Sequence, residues 1–174
     1  GAATCANGEK DAMRQIMIIG ASLLFLLVIQ STWLPVWLFA GIQLDLLLIA
    51  TVCTGLLYGR EKGVAVGFFS GLLQDLLSGF LFGYHILTRM LCGFACGLME
   101  KQIFKENQLV PVAVTMLATV LTQVVYWGCA YLMGAGLAIG REAVVGLLLA
   151  AICNGLLAWP VSKLFKWLFR VSET

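Results

Sequence analysis

Three charged residues lie inside long apolar stretches of the sequence, with one histidine nearby. Asp45, Asp75 and Arg89 are each flanked by leucine-rich runs, and His85 lies four residues before Arg89. A charge at the centre of a membrane helix costs about 2.5–3.5 kcal/mol on insertion scales. Such residues need a partner, a water-filled space or a function. We therefore expect all four to form an intramembrane polar network, either structural or binding a ligand or partner.

The sequence offers little for catalysis or metal binding. It has no nucleotide-binding loop, no His-Glu-x-x-His motif and no serine-centred nucleophile motif. Cys92 and Cys96 are one helical turn apart, but no second ligand pair accompanies them. The cysteines therefore indicate small apolar residues of helix interiors. We expect no enzymatic activity, no metal and no cofactor.

The composition indicates the environment of these residues. Of the 174 residues, 61% are hydrophobic and 11% are charged, whereas soluble domains carry roughly 25% charged residues. The formal net charge of +2 is too small for an electrostatic nucleic-acid binder. The composition excludes a secreted domain, a nucleic-acid binder and a disordered linker, and it predicts a polytopic membrane protein.

Six apolar runs, separated by short polar segments, predict an all-α fold with six transmembrane helices. Pro160 is expected to end or kink the sixth. The polar residues 1–12 are interpreted as an added leader or a disordered tail, and residues 171–174 as a short cytoplasmic tail. Between them, residues 13–170 form a single domain. The predicted spans are 15–33, 36–58, 63–79, 83–100, 109–133 and 142–159.

The basic residues predict the orientation. If the N-terminus is cytoplasmic, the loops with the most Lys and Arg also face the cytoplasm, as the positive-inside rule requires, while Arg141 faces outward. Both termini are therefore expected inside. Residues 161–170 either extend the sixth helix or lie as an amphipathic segment among the lipid headgroups. The cytoplasmic basic residues are Arg14, Arg60, Lys62, Lys101, Lys105, Lys163, Lys166 and Arg170.

Small and polar residues recur every fourth position in several spans. Small residues at this spacing let two helices approach closely. A hairpin of the third and fourth helices that aligns both glycine series pairs Asp75 with Arg89, which either locks the hairpin or lines a ligand site. Stripes containing Thr119 and Asn154 face other helices or a transport path. The predicted packing seam consists of Gly63, Gly67, Gly71, Gly79, Gly93 and Gly97.

Several of these motifs resemble the rod-shape-determining protein MreD family. The similar segments are Leu-Asp-Leu-Leu-Leu-Ile at 44–49, the glycine-spaced 67–75 ending in Asp75, and Gly-Tyr-His at 83–85. The resemblance implies a multi-pass, non-enzymatic subunit of the bacterial cytoplasmic membrane. Such a subunit would belong to the cell-elongation complex, bind MreC, and support RodA and a class B penicillin-binding protein in peptidoglycan synthesis and cell shape.

An alternative function comes from a fold likeness. The six-helix fold of that family resembles the substrate-binding S-components of energy-coupling-factor transporters. The alternative is therefore a subunit that binds a vitamin or another small molecule. S-components typically carry an Ala-x-x-x-Ala motif in the first helix. The first predicted helix here lacks it, which favours the cell-elongation function.

Overall fold

The described part of the chain is entirely helical. In this computed structural model it comprises residues 20–32, 44–78, 82–99, 109–134 and 140–172, with residues 167–172 described by their backbone alone. The all-α prediction is confirmed for these residues. The five helices are α1 Gly20–Thr32, α2 Leu46–Ser78, α3 Tyr84–Leu98, α4 Val110–Leu132 and α5 Arg141–Ser172.

Helix α2 is bent back on itself at Gly59. Its φ of 85° lies in the left-handed region that favours glycine. The Thr51 and Ser70 hydroxyl oxygens are 2.9 Å apart, although 19 residues of unbroken helix would separate them by about 28 Å. The helix therefore consists of two antiparallel arms, the first arm (residues 46–58) and the second arm (residues 60–78).

The first arm lies at the centre of the protein. Every residue from Leu46 to Leu56 is buried, because the other helices surround this arm. A mostly apolar helix can be buried in this way. Residues packed on it from the other helices include Leu23, Leu26, Cys96, Ala118, Ala158 and Phe165.

The surrounding helices expose apolar side chains. Within the described ranges, Val110–Leu132 and Arg141–Lys166 are long and apolar enough to cross a membrane. Only 22% and 28% of their most apolar windows are buried, whereas the core helix of a soluble protein would be mostly buried. Exposed apolar surface of this extent fits a lipid environment. The described residues do not establish six membrane crossings, so that finer prediction stays a prediction.

Two helix ends differ from the predicted spans. Asp45 precedes α2 instead of lying within the second helix, because its carboxylate accepts the N–H of Leu48 and so caps the helix start. Pro160 does not end α5, which continues to Ser172. Membrane helices tolerate an internal proline because neighbouring groups satisfy the freed backbone. Residues 161–170 thus extend the helix, while residues 1–12 lie outside the described residues.

The second arm packs tightly against α3 through glycines. A Cβ atom added to Gly63 would lie 2.5 Å from the carbonyl oxygen of Gly93, and one added to Gly67 would lie 2.5 Å from that of Arg89. A Cβ on Gly71 would likewise meet the α3 backbone at 2.5 Å. Of the six glycines of the predicted seam, five make close backbone contacts: Gly63, Gly67, Gly71, Gly93 and Gly97. The sixth, Gly79, lies outside the described residues.

The helices of this seam are offset from the predicted alignment. Gly67 meets Arg89 instead of Gly97, a shift of two helical turns. Because the glycines repeat every fourth residue, sliding one helix by two turns still places a glycine opposite a glycine, here Gly63 opposite Gly93. The spacing alone therefore could not distinguish the two alignments, and the predicted one was wrong.

Candidate functional site

Arg89 forms a buried ion pair with Asp45. Its Nη2 donates to both carboxylate oxygens, at 2.6 and 2.7 Å, and its Nη1 donates to the Ser70 carbonyl oxygen at 2.8 Å. The Arg89 side chain is 1% exposed, but that of Asp45 is 27% exposed. The predicted Asp75–Arg89 pair is therefore wrong, because the two-turn offset carries Asp75 past Arg89.

Side chains from two other helices hold the start of the first arm. The Asp45 N–H donates to Oδ1 of Asn154 in α5, at 3.1 Å. The next N–H, of Leu46, donates to Oε1 of Gln30 in α1, at 3.0 Å. The first N–H groups of a helix lack partners within the helix. Here they are satisfied by side chains that also bring α1 and α5 to the ion pair.

These contacts extend to every described helix. Asn154 Nδ2 donates to the Thr119 hydroxyl in α4 at 3.3 Å. Asn154 and Ser70 are completely buried, and buried polar groups of this kind need hydrogen-bond partners. We call the connected set the central polar network. Its members are Gln30 of α1, Asp45 at the start of α2, Ser70 of the second arm, Arg89 of α3, Thr119 of α4 and Asn154 of α5.

Asp75 and His85 form a separate pair at the turn before α3. The Asp75 carboxylate accepts the backbone N–H groups of Gly83, His85 and Ile86, at 2.9–3.1 Å. His85 Nδ1 lies 2.8 Å from the same carboxylate. The Asp75 side chain is completely buried, and that of His85 is 20% exposed. Asp75 thus caps α3, and the predicted four-residue network is divided into two pairs.

The central polar network lies at the end of the central helix. The first arm is about 20 Å long, shorter than the roughly 30 Å hydrocarbon core of a bilayer. Beyond the network, α4 continues from Thr119 to Leu132 and α5 from Asn154 back to Arg141, about 20 Å each. The first arm starts at the network, so the partly exposed Asp45 carboxylate lies where the outer helices extend beyond the central one.

An aromatic group lies on the same side of the network. The Tyr84 ring makes edge-to-face contacts with His85 and Tyr126, with centroids 4.9 and 5.4 Å apart. The Tyr84 hydroxyl donates to the Thr122 carbonyl oxygen, which ties α3 to α4. Tyrosines combine an apolar ring with a polar hydroxyl. This end of the bundle therefore offers both hydrogen-bonding groups and aromatic surface to a ligand.

Side chains that could bind a metal are not clustered among the described residues. Within the described ranges, no three His, Cys, Asp or Glu side chains are grouped to hold a metal. Cys53, Cys92, Cys96, Cys129 and Cys153 are free thiols.

Sequence reasoning identified Asp45 and Arg89 as members of a polar network and placed Thr119 and Asn154 in stripes that face other helices or a transport path. It missed Gln30 and the carbonyl group of Ser70. The available signal was that Gln30 is an amide near the end of an otherwise apolar helix. Amides in membrane helices often form hydrogen bonds between helices. The contact of Asn154 with the Asp45 backbone gave no such signal, because backbone partners depend on the three-dimensional arrangement.

Comparison with known proteins adds a family assignment. The family model described as "ECF-type riboflavin transporter, S component" matches residues 12–166. This is most of the chain, and it includes every residue of the central polar network. No curated protein and no solved structure gives a significant match.

This match overturns the resemblance to MreD and the cell-elongation function that followed from it. MreC, RodA and a penicillin-binding protein are therefore wrong as partners, and cell shape and peptidoglycan synthesis are wrong as processes. The misleading motifs consist of Gly, Leu and Asp, which recur in unrelated membrane helices. The missing Ala-x-x-x-Ala motif was also a poor criterion against a transporter. The chain belongs to the family of ECF-type riboflavin transporter S-components, which are non-enzymatic transporter subunits of the cytoplasmic membrane.

Proposed function

We propose that the chain captures riboflavin at the outer side of the cytoplasmic membrane and delivers it to an ECF module of ATPases and a T component. The family match over residues 12–166 carries this proposal. It assigns the chain to riboflavin transporter subunits. Such a subunit needs a ligand site of its own, and an energy-coupling partner supplies ATP hydrolysis.

The geometry around the central polar network supports a flavin site in the outer half. Riboflavin joins a planar aromatic ring system to a chain of hydroxyl groups. The Asp45 side chain is 27% exposed, and its carboxylate is suited to hydroxyl donors. Tyr84 and Tyr126 provide aromatic surface on the same side of the network. Ligand sites commonly combine apolar surface with a few such polar groups.

A six-span orientation with both termini in the cytoplasm is part of this proposal. The two arms of α2 run in opposite directions, so together with α1, α3, α4 and α5 they supply six helical segments. The bend at Gly59 lies among basic residues, and the Tyr58 hydroxyl donates to the Phe165 carbonyl oxygen at 3.4 Å. The bend and the basic end of α5 therefore share one side, which the positive-inside rule makes cytoplasmic.

Cysteine labelling tests the orientation. Glu61 and Glu142 are both exposed and lie at opposite ends of the bundle. In intact cells, a membrane-impermeant thiol reagent should label Glu142→Cys but not Glu61→Cys, with the unsubstituted chain as the background control. Equal labelling of both variants in intact cells would contradict the orientation.

A riboflavin titration tests the function. The purified protein in detergent should quench riboflavin fluorescence saturably, with a Kd below about 1 µM, equivalent to about −8 kcal/mol. Asn154→Leu removes two hydrogen bonds of the central polar network and should weaken binding at least about tenfold. Leu148→Ala, at a side chain that is 55% exposed, should not. If the folded protein shows no saturable quenching, the proposal fails. Co-purification of the chain with an ECF module is a separate test of the proposed partner.

A further inference from the structure

We propose that Asp45 determines specificity, selecting the uncharged polyol chain of riboflavin against its phosphate ester. This inference rests on the proposed function and assigns a role to one residue of that site. It follows from three features of Asp45: the hydrogen bonds that its carboxylate already makes, its position in the bundle, and the charge balance with Arg89.

The Asp45 carboxylate retains unused acceptor capacity. Arg89 Nη2 donates to both oxygens, and the Leu48 N–H donates to Oδ1 at 2.9 Å. An ionised carboxylate has about four lone-pair sites. Oδ2 therefore has a site left, and 27% of the side chain is exposed. An alcohol O–H is a suitable donor, and its hydrogen bond to a carboxylate is charge-assisted.

The position of Asp45 directs this capacity toward the interior of the bundle. Gln30 of α1, Arg89 of α3 and Asn154 of α5 contact Asp45 or the residue after it from three sides. A charged oxygen facing lipid would be costly. The exposed part of the Asp45 side chain therefore faces the side beyond the first arm, where α4 and α5 continue for about 20 Å.

The charge balance of the pair disfavours an anionic ligand. Both terminal nitrogens of Arg89 are engaged, with Asp45 and with the Ser70 carbonyl, and the side chain is 1% exposed. Arg89 is therefore not free to bind a phosphate. A phosphate monoester carries a charge of about −1.5 to −2 at neutral pH. The ion pair is neutral as a whole, but its carboxylate belongs to the exposed partner and its guanidinium to the buried one. A phosphate beside Asp45 would lie nearer to the carboxylate, so repulsion would exceed attraction.

Titrations with riboflavin and riboflavin 5′-phosphate test this assignment. The unsubstituted chain should bind riboflavin at least about tenfold more tightly, a difference of 1.4 kcal/mol. Asp45→Asn keeps an oxygen for Arg89 and a good helix cap, but it removes the negative charge. It should reduce the preference about tenfold, mainly by strengthening binding of the phosphate ester. Glu142→Gln, which removes a charge from the exposed start of α5, should leave the preference unchanged.

The outcomes separate this inference from the proposed function. If the unsubstituted chain binds neither flavin, the proposed function fails. If it binds riboflavin but Asp45→Asn keeps the same preference, the assignment to Asp45 is overturned. Lumiflavin, which lacks the polyol chain, supplies a measurement on the unsubstituted protein in case the variant does not fold. It should bind at least about tenfold more weakly than riboflavin, and equal binding would also overturn the assignment.

Discussion

Truncating the two partners of the buried ion pair should have unequal effects on stability. Asp45→Ala leaves the Arg89 guanidinium, 1% exposed, without its carboxylate. Arg89→Ala leaves a carboxylate that is 27% exposed and still accepts the Leu48 N–H. Removing one partner of a buried pair costs roughly 3–5 kcal/mol. We expect Arg89→Ala to lower the free energy of unfolding by about 3 kcal/mol, the lower limit of that range. Asp45→Ala should lower it by more, because that variant also loses the helix cap.

These costs translate into measurable shifts of the unfolding midpoint. For a chain of this size, 1 kcal/mol corresponds to about 2–4 °C. Arg89→Ala should therefore lower the midpoint by about 6–12 °C, and Asp45→Ala by more. The assay is heating in detergent, followed by size-exclusion chromatography of the fraction that remains monodisperse. The double variant Asp45→Ala/Arg89→Ala leaves no charge without its partner. Its loss of stability should therefore be about 1–3 kcal/mol smaller than the sum of the two single losses.

A second mutant cycle supplies the matched control. Asp75, in the second arm, also carries a carboxylate, but its hydrogen bonds go to the turn before α3 rather than to Arg89. The cycle of Asp75→Ala with Arg89→Ala should therefore show a coupling at least about 1 kcal/mol smaller than that of the Asp45 cycle. Additive losses for Asp45 and Arg89, or a larger coupling between Asp75 and Arg89, would refute the pairing described above.

Two further predictions concern the hairpin. Gly63→Ala should lower the unfolding midpoint markedly, because its Cβ would lie 2.5 Å from the Gly93 carbonyl oxygen; Gly128→Ala is the control, since nothing lies within 4 Å of its added Cβ. An equal response of the two would argue against close packing of the second arm on α3. Asp75→Ala should cost about 2 kcal/mol or more, because three backbone N–H groups lose their acceptor. His85→Ala removes one contact to Asp75 and should cost less, so the reverse order in thermal unfolding would contradict the capping role.

The helical content of the described residues was predictable because it depends on local sequence. Apolar runs of sufficient length imply helices in a membrane, because the backbone N–H and C=O groups there must form their hydrogen bonds without water. Glycines at every fourth residue indicated which helix faces pack closely. The bend at Gly59 was also anticipated in position, since the second predicted span ends there within a run of charged residues.

The pairing of charges was not predictable in the same way. A repeat of four residues fits several alignments of the same two helices, so the depth of Asp75 relative to Arg89 was undetermined. The choice between Asp45 and Asp75 depends on where the first arm begins. That start is set by hydrogen bonds to Gln30 and Asn154, from helices distant in sequence. Contacts of this kind leave no periodic signal in a single sequence.

The two halves of the bundle suit a subunit that binds a ligand but needs a partner for transport. On the Gly59 side of the central polar network, the first arm is buried from Leu46 to Leu56 and glycines bring the second arm against α3. A ligand held beyond the network would therefore meet a close-packed helical core and an ion pair anchored to every described helix. Passage would require these contacts to rearrange, at a cost of several kcal/mol for separating the buried charges alone. On the proposed function, riboflavin bound beyond the network would accordingly stay on that side until a partner module supplies the free energy for its release.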